Sequence, residues 1–85
     1  MDQPLRILIV DDSALMRRLI RTMLDRDPEL TVVGEAADGR EAIARTAELK
    51  PDLITLDVRM PVMDGVETTR QIMAYQPTPI LVLTA

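Results

Sequence analysis

Four short runs rich in aliphatic and β-branched residues divide the chain: Leu5–Val10, Thr31–Glu35, Leu53–Leu56 and Ile80–Thr84. Runs this short predict strands, and the nearly unbroken apolar character of the first and third predicts burial on both faces of a parallel sheet. Between the strands the pattern changes to a helical one. After Ser13, the residues Leu15, Met16, Leu19, Ile20, Met23 and Leu24 share one helical face, with Arg17, Arg18, Arg21 and Asp25 on the other. This predicts a helix that turns its apolar side inward and ends near Asp27-Pro28. Asp38-Gly39 opens a second helix, with Ala42, Ile43 and Ala47 inward, and Lys50-Pro51 stops it. Asp64 caps a third helix through about Ala74, with Val66, Ile72 and Met73 as its expected buried positions.

Numbered in chain order, these elements run β1-α1-β2-α2-β3-α3-β4. Each strand-to-strand connection is long enough for a right-handed crossover, so an α/β parallel sheet is expected; if the first crossover goes one way and the second the other, β2 lies outside β1 and β3 on its other side, which is the flavodoxin-like order 2-1-3-4. In that order the winding reverses between β1 and β3. Ligands of open α/β sheets gather outside the carboxyl ends of the strands at such a reversal. Asp11-Asp12 follows β1 directly, and Asp57 closes β3.

Three carboxylates at neighbouring strand ends repel one another and need either a cation or raised pKa values. Magnesium suits them, because it takes hard oxygen ligands and commonly combines one or two carboxylates with phosphate oxygens. Asp57 could then serve as a nucleophile toward phosphorus, since carboxylates form acyl phosphates. Other groups read more plainly. Asp38-Gly39 is turn chemistry, a helix cap explains Asp64-Gly65, and Met16, Met23 and Met73 sit at helical core spacing. Arg17, Arg18 and Arg21 read as a solvated helix face.

Composition narrows the chemistry further. The 85 residues contain no cysteine and no histidine, so thiolate sites, disulfides and imidazole catalysis are excluded, and a metal must be held by oxygen. The net charge of -4 argues against nucleic acid as a direct partner. Tyr75 is the sole aromatic residue, which leaves little for stacking on a flavin or a base. There is no membrane-length apolar run and no signal peptide, so a cytoplasmic setting and no membrane contact are expected.

The acidic pair Asp11-Asp12, the strand-end Asp57, Met60-Pro61, Asp64-Gly65 and Thr84 together resemble the receiver domain of two-component response regulators, from Ile7 to Thr84. The wording around Val10–Met16, Leu56–Gly65 and Pro77–Pro79 is similar to the receivers of chemotaxis protein-glutamate methylesterases. This resemblance implies that Asp57 takes phosphate from a histidine kinase and that a parent protein carries an output or effector domain. It implies that Asp12, Asp57 and the backbone carbonyl of Arg59 bind Mg²⁺ directly, that Asp11 acts through a coordinated water, and that Thr84 is the switch hydroxyl.

Against the family pattern, a fourth helix, a fifth strand with its lysine and a fifth helix are missing, so residues 1–85 are expected to be the N-terminal part of a receiver. The one lysine, Lys50, precedes β3 and lies roughly 16 Å from Asp57, at about 3.3 Å per strand residue. Phosphorylation and its readout are therefore expected to be weakened, and the apolar β4 edge is expected to drive self-association. The segment itself is not expected to turn over substrate. Two alternatives remain at this point: a Mg²⁺-dependent phosphohydrolase, and a non-signalling assembly piece that oligomerises through β4.

Overall fold

A computed structural model describes residues 3–57 and 65–83. Its elements are β1 (Leu5–Val10), α1 (Ala14–Leu24), β2 (Leu30–Ala36), α2 (Gly39–Leu49), β3 (Leu53–Asp57), α3 (Gly65–Tyr75) and β4 (Ile80–Leu83). They follow the expected order. The strands form one parallel sheet in the order β2-β1-β3-β4.

Local chemistry explains where the helices begin and stop. Ser13 has extended backbone, and its Oγ accepts the Met16 N–H at 3.1 Å, which satisfies one of the free donors of the first turn of α1. Asp38 does the same for α2 by accepting the Glu41 N–H at 2.9 Å, and Glu41 reaches back to accept the Ala37 N–H at 2.9 Å. Lys50 ends α2 in the left-handed region, with φ 48°, and donates its N–H to the Thr46 carbonyl at 2.9 Å. The amino ends of β1 and β3 are then tied together. Arg6 N–H donates to Asp52 Oδ2 at 2.9 Å, Asp52 N–H donates to the Arg6 carbonyl at 2.8 Å, and the Arg6 guanidinium donates to the Lys50 carbonyl at 2.9 Å.

One sheet face packs Leu8, Val10, Ala36, Ile54 and Leu56 against Ala42 of α2 and Ile72 of α3, with Ile43, Leu49 and Ile80 around them. Leu49 of α2 packs into the space beside a glycine of β2. Leu8 pairs with Gly34 while Ile7 pairs with Val32, so β2 carries an extra residue there, and a Cβ at position 34 would stand 2.6 Å from Leu49 Cδ1.

The helices bury only part of the faces that their apolar spacing predicts. In α1, Leu15, Met16, Leu19 and Met23 are exposed, and no residue is fully buried. Glu35, on the same sheet face as its register partner Ile9, explains the rotation: its two carboxylate oxygens take Nε of Arg17 at 3.0 Å and Nε of Arg21 at 2.8 Å. The seam between α1 and β2 is therefore ionic. In α2 and α3 the expected Ala42 and Ile72 are buried and the expected Ala47, Val66 and Met73 are exposed, while Thr46 and Thr68, which the spacing does not place inside, are buried. These two helices pack on each other, where a short side chain permits close approach. Thr46 is buried with its hydroxyl satisfied, since Oγ1 donates to the Ala42 carbonyl at 2.7 Å.

The α1 side of the sheet buries Ile7, Ile9 and Thr55. Thr55 Oγ1 has no hydrogen-bond partner among the described residues. A buried hydroxyl without a partner costs about 1–3 kcal/mol, and a methyl of the same shape removes that cost. Thr55→Val should therefore raise unfolding stability by about 1 kcal/mol, read as a higher urea midpoint at unchanged m-value. A lower midpoint would mean that the hydroxyl is satisfied. No described helix is long and apolar enough to cross a membrane.

Candidate functional site

Register places the acidic residues. Val10, the last residue of β1, pairs with Ala36 on one side and Leu56 on the other. The next residues along the two central strands are Asp11 and Asp57, so both leave the sheet at the same level. Asp12 follows at once, and one carboxylate oxygen from each of Asp11, Asp12 and Asp57 lies within 4.8 Å of the other two. Asp11 is buried, Asp57 is half-buried and Asp12 is exposed. The cluster thus has a closed floor and an open mouth. Arg59 and Thr84, like Asp64 and Met60-Pro61, lie outside the described residues.

Asp11 is held through its N–H, its carboxylate and its carbonyl. Its N–H donates to the Ala36 carbonyl at 3.1 Å, and its Oδ1 accepts the Ser13 N–H at 2.9 Å. Its carbonyl accepts a hydrogen bond from Arg17 NH1 at 2.7 Å. Arg17 is the residue that sequence reasoning missed by placing it on a solvated face. The available signal was a pair of arginines one helical turn apart, Arg17 and Arg21, in a chain whose second strand carries the acidic Glu35.

The electrostatics of the cluster are those of crowded like charge. Burial raises the Asp11 carboxyl above its ordinary value, the hydrogen bond from the Ser13 backbone pulls it back in part, and the charges of Asp57 and Asp12 push it up again. Glu35 behaves in the opposite way: burial disfavours its charge, but Arg21 and Arg17 outweigh this and hold it below its ordinary 4.5.

The two shifts act on stability with opposite signs. Asp11 contributes stability that is fully present below its unfolded pKa and is lost as pH rises through its raised folded value. Glu35 contributes stability that is present above its unfolded pKa and is lost as pH falls through its lowered folded value. Glu35→Gln should accordingly flatten the acid limb of the stability profile in urea unfolding at a series of pH values from about 5 downward. An unchanged acid limb would mean that the ion pairs do not persist in solution.

The donor set fits a hard divalent cation. All three groups offer carboxylate oxygens, they carry excess negative charge at short range, and the buried member pays for that charge with a raised pKa. A small oxygen-seeking ion such as Mg²⁺ relieves the repulsion and leaves room at the exposed mouth for water or phosphate oxygens.

The family model described as the response regulator receiver domain matches residues 7–85. A protein-glutamate methylesterase/protein-glutamine glutaminase from Carboxydothermus hydrogenoformans is 51% identical over 81 residues, covering 95% of this chain and 23% of that protein. The chain therefore spans about a quarter or less of the length of such relatives. The response regulator domain of Thermotoga maritima CheB superposes with a TM-score of 0.94 at 43% identity, covering 96% of this chain and 61% of that one. A chain in the crystal structure of the P1 domain of CheA3 in complex with CheY6 from R. sphaeroides gives a TM-score of 0.84 at 39% identity, covering 98% and 65%.

Proposed function

Because this chain belongs to the response regulator receiver domain family, we propose that Asp57 accepts a phosphoryl group from the phosphohistidine of a histidine kinase and so switches an output module. The observation that carries this reading is the convergence of Asp11, Asp12 and Asp57 at the ends of β1 and β3. In the transfer, an Asp57 carboxylate oxygen bonds to phosphorus as the bond from phosphorus to the kinase histidine breaks, leaving an acyl phosphate on Asp57. Asp12, Asp57 and the Arg59 carbonyl would hold Mg²⁺ directly, with Asp11 acting through water. When bound, the cation supplies neutralisation of charge on the phosphoryl oxygens. Thr84 is the proposed switch hydroxyl, drawn toward the new acceptor oxygens.

The partners follow from the same reading. The complex of a CheA3 domain with CheY6 supports a histidine kinase as donor. The methylesterase relatives support a cytoplasmic chemotaxis protein whose output is protein-glutamate methylesterase activity. The one lysine, Lys50, stands at the far end of β3, so transfer by these 85 residues alone should be slower than in a receiver with a cation beside the acceptor. The exposed Leu81 and Val82 of the edge strand β4 support self-association through that edge.

The test is incubation with Mg²⁺ and acetyl phosphate, followed by mass spectrometry. One equivalent of phosphate on Asp57, dependent on Mg²⁺, is the expected result. Sustained release of phosphate over many turnovers would point instead to a phosphohydrolase, and no adduct at all would sink the phosphoacceptor reading.

A further inference from the structure

The guanidinium of Arg17 is shared between an acceptor on β2 and one just past the end of β1. Its Nε donates to Glu35 Oε1 of β2 at 3.0 Å, while NH1 donates to the Asp11 carbonyl at 2.7 Å. Glu35 is itself held from the other side by Arg21 Nε at 2.8 Å. The Asp11 carbonyl belongs to the peptide plane that joins Asp11 to Asp12. A donor fixed on that oxygen sets the tilt of the plane, and with it the direction in which the Asp12 backbone sends its side chain. The hydrogen bonds through Ala36 and Ser13 act on the Asp11 N–H and carboxylate rather than on this carbonyl.

We propose that Arg17 is a positioning residue for the acidic cluster: anchored by Glu35, it holds the Asp11–Asp12 peptide so that the two carboxylates face Asp57. This inference rests on the Mg²⁺-binding reading given above and adds a dependence that reading does not contain. Cation affinity at the ends of β1 and β3 is coupled to an ion pair on the edge strand β2. A lysine cannot replace Arg17 here, because a single ammonium on a flexible stem does not present a planar fork to two acceptors.

Charge and geometry predict opposite signs, which makes the idea testable. Removing a nearby positive charge should by itself tighten Mg²⁺ binding. Loss of positioning should weaken it, by about tenfold, as for other groups that orient metal ligands without touching the metal. The experiment is Mg²⁺ titration of the full chain, followed by the backbone amides of Asp12 and Asp57, for wild type, Arg17→Ala, Arg17→Lys, Glu35→Gln and Arg21→Ala. Thermal unfolding is recorded alongside.

The expected result is a Kd raised about tenfold in both Arg17 variants, a smaller rise in Glu35→Gln, and a value within about twofold of wild type in Arg21→Ala. The Asp12 amide should also be shifted before any Mg²⁺ is added in the Arg17 variants. Should Arg17→Ala fail to fold, Arg17→Lys carries the test, because it keeps the charge and removes only the planar fork. Arg17 variants that bind Mg²⁺ as tightly as wild type, or more tightly, would overturn the proposal. A wild-type chain that binds no Mg²⁺ would overturn the reading beneath it, and this is distinct because the failure then precedes any substitution.

Discussion

Asp57→Asn should abolish phosphate incorporation while leaving the chain folded. The replacement is nearly the same size, so β3 and its pairing with β4, in which Asp57 lies opposite Leu83, need not change. What is lost is the anionic oxygen: a neutral amide is no nucleophile toward phosphorus, and adduct formation should fall to background in the mass spectrum. Two further effects are expected in the same variant. Asp11 loses one of the neighbouring charges that raise its pKa, so its titration, followed by carboxyl carbon shifts, should move down. Mg²⁺ affinity should fall about tenfold or more, because unit charges some 4 Å apart interact by about 4 kcal/mol near a protein surface and each 1.4 kcal/mol is tenfold. An adduct persisting at wild-type level would place the acceptor on another residue.

Leu56→Ala should cost far more stability than any substitution along the exposed face of α1. Leu56 is fully buried, immediately precedes Asp57, and lies between Val10 of β1 and Val82 of β4. Its truncation leaves a cavity in the layer packed against α2 and α3, and such losses run about 2–5 kcal/mol. A domain of this size has a total stability of about 4–13 kcal/mol. The variant should therefore be strongly destabilised, with the unfolding midpoint in urea as the measure. Leu15→Ala, at a position 64% exposed, should stay within about 0.5 kcal/mol of wild type. Equal losses at the two positions would mean that the apolar stripe of α1 is buried in solution.

That comparison also marks the boundary of what the chain's pattern reveals. The strand order 2-1-3-4 is what the family resemblance implies. The element order, the strand ends that carry Asp11 and Asp57, and the helix starts near Ser13 and Asp38 follow from local rules: apolar run length and side-chain oxygens at helix starts. The orientation of α1 does not, because it is decided by Glu35, a residue on a different element whose charge must be met by Arg17 and Arg21. Helical periodicity counts apolar residues along one segment and cannot register an acid waiting on the neighbouring strand. The buried threonines were hidden for a related reason. Thr46 is polar by type, yet its hydroxyl is spent on the backbone of its own helix, so it packs as a small apolar group. The space beside Gly34 is taken by Leu49 arriving from α2, which no window around Gly34 contains.

The bonds among Arg6, Asp52 and Lys50 give the sheet a direction. At the amino ends of β1 and β3 three hydrogen bonds of 2.8 to 2.9 Å close the two strands onto each other, while at the carboxyl ends three like charges crowd together. Thermal fraying of a strand pair begins at its weaker end. Any opening of the central pair is therefore expected to start at the acidic end, as a clasped book opens from its fore-edge. A phosphoryl group added at Asp57 would then load the end of the strand pair that lacks this clasp.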